Sequence, residues 1–174
     1  MGELWDLYDE NRNPVGETHE RGQDIPEGRY HIVVDIWTIR SDGRILLDQR
    51  HPNKHMGLRW ECTGGSVLMG EDSRMGAVRE MGEELGLVVE PKHLVELDTV
   101  RVKDRFVDTY INICDVELDE LVLQDTEVVD AKFVSFDELV KMWGNDMVSP
   151  RERFLRYRNK LEECVRRLER GEWN

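Results

Sequence analysis

The first half of the chain contains apolar runs typical of β-strands, and one of them alternates with polar residues. The clearest run is 30–39, YHIVVDIWTI, whose β-branched and aromatic residues predict a strand. A Ser-Asp-Gly turn follows, and 44–49 is the predicted partner strand. Nearer the N-terminus, alternating apolar and acidic residues at 3–9 precede an Asn- and Pro-containing turn. This pattern predicts a hairpin over about 3–18, laid against the main body.

The rest of the chain mixes short extended segments with helices. Four further strands are predicted, at 60–63, 94–102, 106–116 and 131–134. Ser135 is the expected N-cap of a helix through Met142, and a last amphipathic helix is predicted over about 150–169. The 174 residues, without evident repeat or linker, fit a single domain over 1–174. This order of elements predicts an α+β fold with helices packed on a mixed sheet.

A helix is predicted to begin at Asp72 or Ser73, both capable N-caps, and to end before Gly86 as its C-terminal cap. Apolar residues recur within it at steps of three and four. The expected buried stripe consists of Met75, Val78, Met81 and Leu85. Two glycines, Gly76 and Gly82, are unfavourable inside a helix, and close packing against the sheet is one rationale for them.

Composition excludes several classes of function. The net charge of −13 argues against binding nucleic acid through its backbone, which requires a basic surface. No apolar run approaches the roughly 20 residues of a membrane span, and the N-terminus does not resemble a signal peptide. The three cysteines, Cys62, Cys114 and Cys164, are expected to be reduced, buried thiols. We therefore expect a cytoplasmic protein with neither membrane nor nucleic-acid partner.

The same helix concentrates carboxylates on one face. Glu80 and Glu84 stack one turn apart, with Glu83 beside both and Arg79 adjacent. Like charges this close repel one another, so either water must screen them or a cation must neutralise them. Oxygen ligands of this kind are those that Mg²⁺ or Mn²⁺ prefers.

The spacing around these glutamates resembles a known family signature. The segment 65–87 has Gly65, five residues, Glu71, seven residues, Arg79-Glu80-Met81, one residue, Glu83-Glu84, one residue and Gly86-Leu87. It matches every fixed position of the Nudix box, the signature of the Nudix hydrolase superfamily. The resemblance implies an α/β/α sandwich around a mixed β-sheet, in which the box forms a loop–helix–loop. It also implies hydrolysis of a diphosphate linkage with divalent metal.

By position in the box, the implied metal ligands are Glu80, Glu83 and Glu84, with the carbonyl of Gly65 as a further ligand. Arg79 is expected to form ion pairs that fix the acidic side chains. Two box residues, Glu71 and Gly86, are expected to be structural, with Glu71 bonding backbone at the loop–helix junction.

The general base is not at one constant position in this superfamily. Glu83 or Glu80 fits the role while sharing the metal. Glu127 precedes a predicted strand, where some relatives place a further ligand or base, although a solvated loop acid is the simpler interpretation. Two neighbouring acids, Asp125 and Asp130, are weaker alternatives.

Cationic groups for substrate phosphates are expected just ahead of the box, where Arg50 ends a strand and Lys54 follows in a loop. Taken singly, each also fits an ordinary surface charge. His31 and His51 have no partner spacing typical of a metal site, so both are interpreted as core or surface histidines.

The segment 49–71 also resembles the branch of Nudix proteins related to isopentenyl-diphosphate isomerase, through Gln49-Arg50, Lys54, Gly57, Trp60 and Thr63. That resemblance raises the isomerase as a rival function. Aligned on the tryptophan, however, Cys62 lies about three residues before the isomerase's catalytic cysteine, and in a strand it is expected to point elsewhere. The intact box further favours hydrolysis.

The sequence therefore predicts a Mg²⁺- or Mn²⁺-dependent hydrolase of a phosphoanhydride in a nucleoside diphosphate derivative, or in a nucleoside di- or triphosphate. An isomerase and a non-catalytic nucleotide sensor are the alternatives. The expected partner is a small anionic phosphorylated substrate, and a homodimer is possible through the hairpin or the last helix. Four aromatic residues fit either base stacking or, more commonly, core packing, namely Trp37, Trp60, Phe106 and Tyr110.

Overall fold

The computed structural model describes residues 2–149 and 151–173, apart from the side chains at 151 and 152. Within these residues the chain forms ten strands and three α-helices. The strands are β1 (Leu4–Tyr8), β2 (Pro14–Glu20), β3 (His31–Ile39), β4 (Ile45–Arg50), β5 (Trp60–Glu61), β6 (Thr63–Ser66), β7 (Val95–Val102), β8 (Arg105–Ile113), β9 (Val128–Val134) and β10 (Val148–Ser149). The helices are α1 (Ser73–Leu85), α2 (Phe136–Gly144) and α3 (Arg151–Glu169).

Strands β3 and β4 are the centre of a curled mixed sheet. Strand β3 pairs in parallel with β8 and antiparallel with β6, while β7 continues the sheet beyond β8. Strand β4 meets β3 only at the turn, through Ile39 and Ile45, and pairs antiparallel with β9 and β5. Strand β10 extends this second half in parallel with β5. The half of the sheet that contains β3 and the half that contains β4 therefore separate from each other beyond the β3–β4 turn.

The two faces of the sheet carry separate hydrophobic cores, because successive side chains of a strand point to opposite faces. In β3, Val34 and Ile36 pack with Met81 of α1. Trp37 and Ile39, whose side chains point to the other face, pack instead with residues of α2 and α3. Helices thus cover both faces, and the predicted α/β/α sandwich around a mixed sheet is confirmed.

Several predicted boundaries are wrong by a few residues. Strand β9 begins at Val128, not at 131, and β8 ends at Ile113, not at 116. The two-residue strand β10 was not predicted, because its extended conformation depends on pairing with β5 across a long sequence separation. The last helix begins at Arg151, and residue 150 of its predicted range lies outside the described residues.

The N-terminal hairpin docks on the loop before α1 and on the edge of β3. Its backbone meets the main body where Met69 N–H donates to the carbonyl of Leu4 (2.7 Å) and at a bridge between Tyr8 and Tyr30. At the hairpin turn, Arg12 forms an ion pair with the buried Asp108 of β8. These contacts fix the hairpin over one end of the sheet, as expected.

Helix α1 has the predicted caps. The Asp72 carboxylate accepts from Met75 N–H at 2.8 Å, and Gly86 ends the helix in the left-handed region at φ 71°. The predicted buried stripe is wrong in part, because Met75 is 48% exposed and Val78 only half-buried. The buried residues are Gly76, Ala77, Met81, Glu84 and Leu85. The helix is rotated so that Ala77 and Glu84 face inward.

Candidate active site

A cavity of about 450 Å³ lies between β6, α1 and the loop after β4. Seven residues predicted to bind metal or phosphate or to act as the base line it, namely Arg50, Lys54, Gly65, Glu80, Glu83, Glu84 and Glu127. They come from four separated parts of the chain, so the sheet's curl brings them together. The cavity is the candidate active site.

Gly65 lies directly against Glu80 in the cavity wall. A Cβ atom at this position would come within 2.2 Å of the Glu80 carboxylate. Only glycine therefore allows the strand and the carboxylate to approach this closely. Because Gly65 has no side chain, its backbone is not covered beside Glu80.

Arg79 fixes the acidic face of α1. Its guanidinium donates to Glu80 and to Glu83, each at 2.9 Å, and to the Ser66 carbonyl at 2.8 Å. It also pairs with Glu71 at 2.9 Å. These are the ion pairs expected from the sequence, and they hold two carboxylates of the cavity in place.

Glu71 ties the loop before α1 to the helix. One carboxylate oxygen accepts from the backbone N–H of Leu68 at 3.0 Å, and Arg79 donates to both oxygens, at 2.9 and 3.2 Å. The predicted backbone contact at the loop–helix junction is therefore present. Gly86 lies at the far end of the helix, away from the cavity lining.

Glu84 is the most deeply buried of the box glutamates, with 4% of its surface exposed. The ammonium group of Lys54 lies 3.7 Å from Glu84 and also pairs with Glu127. Burial raises the pKa of Glu84, and the nearby carboxylate of Asp48 raises it further. Lys54 thus occupies a position between carboxylates from α1 and from the segment before β9.

Arg50 does not present a free guanidinium to the cavity. It pairs with both carboxylate oxygens of Glu61, at 2.6 and 2.7 Å. Behind this pair, Asp48 accepts from the Thr63 hydroxyl at 3.1 Å, and its other oxygen has no hydrogen-bond partner among the described residues. Burial raises the pKa of Asp48, as does the charge of Glu61.

A second buried ion pair also lines the cavity. Arg153 of α3 donates to both oxygens of Asp35 in β3, each at 3.0 Å. Burial raises the pKa of Asp35, while Arg153 opposes that shift. Sequence reasoning missed Asp35 and Asp48, although a lone carboxylate inside an otherwise apolar strand was the available signal.

Cys62 is buried in the core that faces α2 and α3, and it also lines the cavity where β5 ends and the chain turns into β6. The expectation that its thiol points away from the reacting groups stays a prediction. Burial and the charge of Asp35 raise the pKa of this thiol well above its ordinary value. All three cysteines are free thiols, but Cys114 and Cys164 are only half-buried.

The remaining candidates lie outside this cavity. His31 is buried against Trp5, with ring centroids 4.3 Å apart, and His51 accepts a backbone N–H in its own loop at 3.2 Å. Asp125 and Asp130 are exposed and line no part of it. The four aromatic residues considered for stacking are all buried in the two cores, namely Trp37, Trp60, Phe106 and Tyr110.

The donor chemistry of the cavity fits a hard divalent ion. Carboxylates outnumber cationic side chains in its wall. Burial, and after it the charge of Asp48, raises the pKa of Glu84, so a nearby cation would stabilise its ionised form. In the described conformation, Lys54 and Arg79 neutralise these groups instead. Within residues 2–149 and 151–173, no three histidine, cysteine, aspartate or glutamate side chains are grouped closely enough to hold a metal ion. A metal would therefore require Lys54 or Arg79 to release its carboxylates.

A curled mixed sheet thus lies between helices, with a glutamate-rich loop–helix–loop on one face. The NUDIX domain family model matches residues 29–157. The chain belongs to the Nudix family and is a Nudix hydrolase, and such enzymes are generally metal-dependent pyrophosphohydrolases.

Relatives include both hydrolases and isomerases. An uncharacterized Nudix hydrolase of Listeria monocytogenes is 35% identical over 139 residues, spanning 79% of this chain and 82% of that protein. An isopentenyl-diphosphate Delta-isomerase of Streptomyces avermitilis is 31% identical over 155 residues, spanning 84% and 78%. The crystal structure of DR0079 from Deinococcus radiodurans matches with a TM-score of 0.69 and 22% identity, covering 95% of this chain and 99% of that one. That structure supports the fold alone.

Among the described residues, no helix combines the length and apolarity needed to cross a membrane.

Proposed function

We propose that this Nudix hydrolase cleaves a phosphoanhydride in a nucleoside diphosphate derivative, using Mg²⁺ or Mn²⁺. The observation that carries the proposal is the grouping of Glu80, Glu83, Glu84 and Glu127 around one cavity that also contains Arg50 and Lys54. Carboxylates supply metal ligands, and the cationic side chains supply contacts for phosphate.

The residues that would hold the metal are Glu80, Glu83 and Glu84, together with the Gly65 carbonyl and Glu127. A divalent ion bound there would offset the negative charge of the phosphates and lower the pKa of a water molecule. Arg79 acts as a positioning residue, because it binds Glu80 and Glu83 through one nitrogen and so sets their separation.

Of the two candidate general bases, Glu83 is better placed than Glu80. The Glu83 side chain is 51% exposed and faces the cavity, whereas that of Glu80 is largely buried against Gly65. Water therefore reaches Glu83 more freely. The phosphates of the substrate compete with Glu84 for Lys54 and with Glu61 for Arg50. Both cationic side chains then bind phosphate.

A phosphate-release screen over nucleoside diphosphates, triphosphates and sugar nucleotides, with Mg²⁺ or Mn²⁺, tests the proposal. We expect turnover with at least one substrate class and none after chelation. In Glu83→Gln, kcat at saturating Mg²⁺ falls by a hundredfold or more, about 3 kcal/mol of transition-state stabilisation.

The matched control is Glu90→Gln, which alters an exposed acid beyond α1 and outside the cavity lining. Its turnover stays at the wild-type value. Equal rates in Glu83→Gln and wild type would refute the role of Glu83. Tight nucleotide binding without phosphate release from any compound would favour a sensor.

The second candidate is isomerisation of isopentenyl diphosphate, which the position of Cys62 in the cavity wall and the similarity to isomerases favour. The intact set of box glutamates speaks for hydrolysis. Formation of the allylic isomer by wild type, abolished in Cys62→Ala, would replace the hydrolase proposal.

A further inference from the structure

A second cavity, of about 280 Å³, adjoins the candidate active site beneath the N-terminal hairpin. The two cavities share Arg21, Ser66 and Arg105 in their walls. Since Ser66 directly follows Gly65, the shared boundary begins beside the carboxylates of the active site. A substrate whose diphosphate lies at those carboxylates can therefore extend past Ser66 into the second cavity.

The boundary carries two guanidinium groups from different elements. Arg21 follows β2 of the hairpin and pairs with Glu3 at 2.8 Å, and both side chains remain about half exposed. Arg105 begins β8 and pairs with its neighbour Asp104 at 2.9 Å. Both pairs are accessible to solvent, so an incoming phosphate can compete for either arginine at modest cost.

The wall beyond the arginines differs from a phosphate site. Asp104 contributes a carboxylate, which repels an anion but accepts hydrogen bonds from hydroxyl or amide groups. The amide of Gln23, which both donates and accepts, lies in the same wall together with Ile25. This combination suits a neutral ring with polar edges and disfavours a further phosphate.

Two residues of the floor hold unpaired polar atoms. Trp5 and His31 stack on each other, and neither Trp5 Nε1 nor His31 Nδ1 has a hydrogen-bond partner among the described residues. Both atoms are shielded from solvent, so the case for a ligand rests on the other groups of the wall.

We infer that the second cavity binds the nucleoside of the substrate, while Arg21 and Arg105 contact the phosphate attached to it. The inference rests on the proposed hydrolysis of a nucleoside diphosphate derivative and assigns substrate selection to the hairpin. The hairpin and the segment after it, residues 21–25, then determine which nucleoside is accepted.

The test uses the full-length protein and two variants of the second cavity. Gln23→Trp fills the cavity from an exposed position, and Arg105→Met removes the charge while keeping most of the side chain's length. We expect each variant to raise KM for ribonucleoside 5′-diphosphates at least tenfold with kcat within threefold of wild type, because binding remote from the reacting bond is lost. Ile25→Trp replaces Gln23→Trp if the latter lowers the melting temperature.

Matched controls place the same changes outside both cavities. Asn11→Trp adds the same ring at the exposed turn of the hairpin, and Arg44→Met removes an arginine that pairs with Asp42 at 2.8 Å in the β3–β4 turn. Both controls keep the wild-type KM. A KM that is unchanged in Gln23→Trp and Arg105→Met would overturn the inference.

Calorimetry with nucleoside 5′-monophosphates and with inorganic phosphate separates this inference from the proposed function. We expect Gln23→Trp to weaken binding of the monophosphates at least tenfold and to leave binding of inorganic phosphate unchanged. Equal weakening of both ligands would overturn the nucleoside assignment. Selective loss of monophosphate binding without any turnover in wild type would support the cavity's role and reject hydrolysis.

Discussion

Helices α1 and α3 cover opposite faces of one sheet, yet they bury different kinds of side chain. Helix α3 buries a regular apolar stripe of Phe154, Tyr157, Leu161, Val165 and Leu168. Helix α1 buries Glu84 beside Met81 and Leu85, and it holds Glu80 under the guanidinium of Arg79. The apolar stripe lowers the free energy of the fold, whereas a buried carboxylate raises it unless a cation is near. Hydrophobic burial accounts for the position of α3, whereas α1 also carries the carboxylates of the candidate active site.

The strongest test of this comparison lies in α3. Leu161→Ala removes a fully buried side chain and leaves a cavity, so we expect the free energy of unfolding to fall by roughly 2–5 kcal/mol. Leu155→Ala on the same helix, at a position 56% exposed, is the control and should change it by less than about 0.5 kcal/mol. Urea denaturation measures both. Similar losses in the two variants would remove the distinction between the faces of α3.

Helix α1 should respond in the opposite way. We expect Glu84→Gln to lower kcat by a hundredfold or more, about 3 kcal/mol, because the proposal makes Glu84 a metal ligand. In chelator, its free energy of unfolding should change little, since burial raises the pKa of Glu84 and the uncharged amide replaces a group that is costly to ionise there. Glu163→Gln on the exposed side of α3 is the control for both measurements. A stability loss above about 2 kcal/mol would show that Glu84 stabilises the fold.

His31 tests the cost of burying a polar group in the core beneath the hairpin. Burial, assisted by the charge of Arg105, lowers its pKa from 6.5 to about 4. The unfolded chain therefore binds a proton that the folded protein excludes, and stability falls as pH drops from about 6.5 toward 4. Between pH 7 and pH 5 this contribution is about 2 kcal/mol.

The comparison variant is His31→Phe, which keeps a ring against Trp5 but does not titrate. We expect it to lose about 2 kcal/mol less free energy of unfolding than wild type over that pH range. Denaturation curves at each pH provide the measurement. Parallel pH profiles for the two proteins would contradict the lowered pKa.

The smallest effects concern the two glycines inside α1. A Cβ atom at Gly76 would lie 2.9 Å from a methyl group of Val67, whereas at Gly82 its nearest neighbour would be 3.7 Å away. We expect Gly82→Ala to stabilise the protein by about 0.5–1 kcal/mol through helix propensity. Gly76→Ala should be neutral or destabilising, because Val67 must move. Melting temperatures of the two variants decide this, and equal shifts would show that Gly76 does not pack closely.

The elements with regular patterns were predictable, including β3, α1 with its Asp72 and Gly86 caps, and α3. The rotation of α1 was not, because an acidic helix with scattered apolar residues does not define one buried face. Its orientation follows from packing Ala77 on the sheet while Glu84 faces the cavity. The short strand β10 was missed because two residues acquire strand geometry only through pairing with β5.

The sequence by itself determined the family and the box residues, because fixed spacings on one helix place Arg79, Glu80, Glu83 and Glu84 together. Only the tertiary structure brought Lys54 and Glu127 to Glu84, placed Arg153 on Asp35 and put Cys62 in the cavity wall. It also closed the hairpin over a second cavity beside the first. The physical reason is sequence separation. Helix periodicity relates residues that are a few positions apart, whereas the walls of both cavities join segments that are far apart in the chain.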